Sequence, residues 1–164
     1  MKSAADAARR MLHDLDEAVA GREPRRAYLR QALGRLVPLH AAEHRGGWPA
    51  PVDGHDMRAE VADRLARLRT LMVAFVADSM YEVDAARDDD LDDILLLRST
   101  LQFLTDDFRG TPADGLVDPE ALVEIDDDLT RKLQDFGPRT DVEPPAGIPE
   151  SHWWWQAAVG RQDL

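Results

Sequence analysis

Cysteine is absent from the 164 residues. That excludes disulfides, thiolate zinc sites and a cysteine nucleophile, and it fits a reducing cytoplasm. Lysine is nearly absent, at two against eighteen arginines, as expected of a GC-rich bacterial genome rather than of a functional demand. The longest apolar run, residues 71–77, has seven residues, far short of the roughly 20 that cross a bilayer. The first residues break their apolar positions with charge, so no signal peptide is expected. No stretch alternates in the manner of a strand. No Gly-rich phosphate loop, Gly-x-Ser-x-Gly or usable Ser/His/Asp set stands out. The expectation is a cytoplasmic protein with no membrane segment and no familiar catalytic signature.

What the chain does have is negative charge, unevenly placed. The net charge is -12; residues 1–69 carry +3 and residues 70–164 carry -15. Such a surface repels phosphate backbones and disfavours nucleic acid. It attracts basic surfaces, although charge of this kind also serves simply to keep a chain in solution. Apolar residues make up 44 % of the chain, enough for one domain with a real core.

Apolar spacing at three and four residues predicts helices throughout. The organising stretch is residues 57–109, which reads as two long helices folded back on each other. Met57, Val61, Leu65, Leu68, Met72, Phe75, Met80 and Val83 stripe the first, expected to run unbroken to about Ala86. Leu91, Ile94, Leu95, Leu101, Leu104 and Phe108 stripe the second. Before them, Ser3 and Asp6 predict a capped helix ending at Gly21. A second helix is expected from Pro24, kinked or ended near Val37 by Pro38. Residues 45–55 contain Gly, Pro and Asp-Gly and predict an irregular connector, with Trp48 packed back on the helices. Glu60 and Arg64, and Asp63 and Arg67, are spaced for exposed ion pairs. Asp118-Pro119-Glu120 opens a further helix that Gly137-Pro138 closes. Four prolines and two glycines then make residues 137–149 extended and irregular, with a short helix expected after Ser151.

Four features invite a chemical reading. Trp153, Trp154 and Trp155 follow His152, and three adjacent rings turning about 100° per residue cannot share one helix face. At least one must meet a second surface, either the end of the bundle, as a latch, or a partner, as a docking peptide. His40, Glu43 and His44 spell the His-x-x-Glu-His of inverted zinc peptidases, but no third ligand accompanies them and Pro38 disturbs the required helix. Arg35 and His40 have the Arg-x4-His spacing found in the HEPN family of all-helical ribonucleases. There an arginine and a histidine would position and protonate a phosphodiester. With so many arginines, chance supplies such a spacing, and Pro38 interrupts it. Asp89, Asp90 and Asp93, or Glu124, Asp127 and Asp128, could offer oxygens to a divalent cation, against the plainer view of a solvated acidic face.

The sequence thus predicts an all-α chain: an antiparallel bundle of about five helices over residues 1–137, and a Pro-rich tail over residues 138–164 that packs on the bundle or docks a partner. The expected function is a non-enzymatic interaction module, an adaptor or an immunity- or antitoxin-like subunit, that binds a basic protein. His152, Trp153, Trp154 and Trp155, with Asp88, Asp89, Asp90, Asp92 and Asp93, are the expected partner-binding residues. No catalytic residue, metal or cofactor is expected. The competing expectation is a small helical enzyme, either a metal-dependent phosphohydrolase or a HEPN-like ribonuclease.

Overall fold

The computed structural model describes residues 3–42 and 47–160. Glu43 and His44 of the His-x-x-Glu-His match lie outside the described residues, as do residues 161–164 of the tail. The fold is all-α. In chain order the helices are α1 (Ala4–Val19), α2 (Arg25–Leu33), α3 (Leu36–Ala41), α4 (Met57–Arg67), α5 (Arg69–Ala85), α6 (Leu91–Asp107), α7 (Pro119–Phe136) and α8 (Trp153–Ala158), with a 3-10 turn at Asp88–Asp90 leading into α6. Among the described residues no helix is long and apolar enough to cross a membrane.

Local chemistry sets several of the ends. Ser3 and Asp6 form a reciprocal capping box, the Ser3 hydroxyl accepting from the Asp6 amide at 3.1 Å. Asp118 accepts from the Glu120 amide at 2.9 Å, with Pro119 in the first turn, where a missing N–H costs nothing. The Asp-Gly of the connector makes a tight turn: Asp53 and Gly54 both have positive φ, at 51° and 79°, as the turn favoured in two-residue hairpins requires. Val52 and His55 exchange backbone hydrogen bonds across it at 3.0 and 2.9 Å. Residues 52–55 are therefore more regular than the composition of the connector predicts.

Two helix boundaries differ from expectation. The stretch read as one helix over residues 57–86 is two, broken at Leu68, which leaves helical geometry at φ -101° and ψ 24°. The apolar stripe continues across the break at steps of three and four, so periodicity carries no mark of it. The cause is tertiary: α4 packs on α1, whereas α5 packs on α7 and α2. The second difference is at Pro38. The helix ends at Leu33 and a new one begins at Leu36, so the proline falls in the first turn of α3 rather than at a helix end. There its missing donor would have been unsatisfied anyway.

One apolar cluster holds the elements together, built on Met11, Leu33, Leu65, Met72, Leu95 and Phe108 from five helices and the turn after α6. A smaller one joins Ala8, Leu39 and Met57. The tail belongs to the larger cluster through Val142, Trp154, Trp155 and Ala158. It leaves α7 and returns on itself, the Arg139 amide donating to the Ala158 carbonyl at 2.8 Å.

Candidate functional site

α6 carries two different surfaces side by side. Ser99 and Thr100 are adjacent in sequence and so stand about 100° apart around the helix. Ser99 meets the tail; Thr100 opens onto a groove.

Ser99 is the anchor of the tail. The indole N–H groups of Trp154 and Trp155 donate to its Oγ at 3.1 and 3.0 Å, and His152 Nδ1 lies 3.1 Å away. With both lone pairs taken, the hydroxyl gives its single proton to Nδ1. The imidazole proton then sits on Nε2, which is buried and has no hydrogen-bond partner among the described residues. An unmet N–H of this kind costs about 1–3 kcal/mol, so packing must outweigh it. That packing is a column of flat groups: His40 stacks on Phe103 at 3.8 Å between centroids, Phe103 meets His152 at 4.9 Å, and His152 stacks on Trp154 at 4.6 Å. The Arg98 guanidinium caps the column, 4.4 Å from the Trp154 ring centre. Arg98 is 4 % exposed and is neutralised by a two-pronged ion pair with Asp126 at 2.6 and 3.1 Å, the geometry that makes a buried arginine tolerable. Trp154 and Trp155 are buried, and the half-buried Trp153 sets its ring edge-on to Trp154.

The tail's approach is equally close. Gly147 has φ +78°, and a Cβ there would run into the carbonyl of His40. His152, at 1 % exposure, has its pKa pushed down to about 4, first by burial and then by Arg98 and His40, with Asp106 opposing. At neutral pH it is uncharged.

His40 itself hydrogen-bonds Asp107 through Nε2 at 2.7 Å, and the same carboxylate oxygen accepts from Trp48 at 2.9 Å. Arg35 instead turns to the buried Asp14, at 2.9 Å. The two ends of the Arg-x4-His spacing are thus bound to different carboxylates.

The aspartates before α6 divide. Asp88 accepts from Arg139 at 3.0 Å, and Asp90 accepts from the Arg87 amide at 2.8 Å. Asp89, Asp92 and Asp93 are exposed and form no ion pair among the described residues. Among the described residues no three His, Asp or Glu side chains stand close enough to share a metal ion. Asp88–Asp90 lie in the 3-10 turn, Asp92 and Asp93 in the first turn of α6, and Ser99, which holds the tryptophans, in the middle of that helix, about 9–10 Å further along its axis.

The groove was not visible in the sequence. Its volume is about 710 Å³, and its walls are helical strips: Arg30, Gly34, Val37, Pro38 and Ala41 from α2 and α3, Phe75 and Glu82 from α5, and Asp93, Leu96, Leu97 and Thr100 from α6, with Pro145 of the tail at its edge. At one end Arg30 donates to Glu82 at 2.6 Å. Its pKa is raised, chiefly by that bond, with burial opposing it and Asp78 and Asp93 adding to the pull.

No protein-family model, curated protein or solved structure matches the chain.

Proposed function

We propose that the chain is a non-enzymatic helical module that binds a basic protein through the acidic face of residues 88–128. One observation supports this most strongly. That segment holds fourteen Asp and Glu against two Arg, which equals the whole net charge of -12 and leaves the rest of the chain neutral. Of those two cations, Arg98 is turned inward onto Asp126, so it offers nothing to the surface. A field so concentrated steers cationic partners and rejects anionic ones. In this reading the helices form an antiparallel bundle and the Trp153–Trp155 tail completes its core, a role that agrees with the burial of Trp154 and Trp155. An adaptor subunit, or an immunity- or antitoxin-like protein opposing a basic effector, fits the same chemistry.

Affinity capture with the full chain, run at about 50 mM and again at about 500 mM salt, tests the reading. A captured protein should be basic and should be released by the higher salt. Capture of acidic proteins, or retention indifferent to salt, counts against it.

A further inference from the structure

We propose that the groove lined by α2, α3, α5 and α6 receives one face of a basic amphipathic helix of the partner, with apolar side chains in the slot and a cation at the Glu82/Asp93 end. This rests on the binding of a basic protein and names where on the surface the contact is made.

The groove has the size of a built site. Its roughly 710 Å³ falls within the usual range of about 300–1,000 Å³ for ligand clefts. The lining is apolar for most of its length, and Leu96 and Leu97 are only half-buried. The α6 wall runs from Asp93 to Thr100, about 10 Å along the axis. That is two helical turns, the reach of an i, i+4, i+7 row of anchors on a docking helix.

The charges choose between occupants. Of the two carboxylates that line that end, Glu82 is held by Arg30 at 2.6 Å. Asp93, the other, is exposed and forms no ion pair among the described residues. A cation on the incoming helix completes the set. A second copy of this chain fits less well, because each copy carries -12 and brings its own acids to the contact.

The test uses the full chain and two labelled peptides of about 18 residues, long enough to form a helix on binding. One has a leucine stripe on a lysine background; the other has alanine in place of every leucine, at equal charge. Fluorescence anisotropy at low salt should show the leucine peptide binding at least tenfold more tightly. Asp93→Lys should weaken that binding tenfold or more, and Glu124→Lys, a reversal at an exposed site on α7, less than twofold. Asp93→Asn, with a helical circular dichroism signal matching the wild type, should show the same effect in milder form. Equal binding of the two peptides, or equal loss from Asp93→Lys and Glu124→Lys, overturns the groove while leaving the charged face standing. Self-association in place of peptide binding also overturns the groove. If neither peptide binds, both the groove and the acidic binding face are refuted.

Discussion

Trp154→Ala is expected to lower the unfolding free energy by about 3–5 kcal/mol, the range for deleting a large buried ring. The residue is 1 % exposed, sits between His152 and the Arg98 guanidinium, and gives its indole proton to Ser99. Removing the ring opens a cavity, strips Arg98 of its cap and leaves the Ser99 oxygen one donor short. Those losses add to the transfer term. Trp154→Phe keeps most of the apolar surface and should cost less than half as much. Urea unfolding followed by circular dichroism separates the two variants. An unchanged midpoint for Trp154→Ala would mean that the ring is not part of the folded body, and the tail would then be free to act as a docking peptide.

The second large effect is acid sensitivity arising at His152. Burial holds the folded imidazole pKa down at about 4 against an ordinary 6.5. Between those values the unfolded chain takes up a proton that the folded chain refuses. Stability from this group is therefore complete above about pH 6.5 and declines as the pH falls toward 4. Below that it declines no further, because both states are then protonated. At about 1.4 kcal/mol per pH unit, the loss over the window is about 3 kcal/mol. The groups that face His152 electrostatically are Arg98 and His40, which disfavour its protonation, and Asp106, which favours it. His152→Gln removes the titration. Wild type and variant should lose stability at different rates between pH 7 and pH 4.5, the variant more slowly, in urea midpoints taken at half-unit intervals. Parallel curves would show that His152 is not held neutral by the fold.

What the sequence disclosed was whatever a few neighbouring residues decide. Ser3 with Asp6, and Asp118 with Pro119, announced helix starts because a cap is satisfied within one turn. Glu60 with Arg64, and Asp63 with Arg67, paired as their spacing predicted. The tryptophan triplet was legible as a steric problem, since three adjacent rings need more than one surface. Its solution was not legible. Ser99 looks like any serine inside a helix, and only the return of the tail, more than fifty residues later, makes it the common acceptor of two indoles. Arg98 and Asp126 likewise come together across 28 residues. The break at Leu68 lacked a proline or glycine to mark it, because packing on two sides of the molecule caused it. The groove lies among strips of four helices that only the tertiary fold brings together, which no single stripe foretells.

On this account the tail is interior and the working surface lies on α6 beside it. The most direct measurement is the indole N–H region of the nuclear magnetic resonance spectrum of the full chain as the leucine/lysine peptide is added. Trp154 and Trp155 should keep their positions and their slow exchange with solvent while amides of residues 93–100 shift. Movement or rapid exchange of those two indole signals on binding, with residues 93–100 unaffected, would place the contact on the tail and contradict the account.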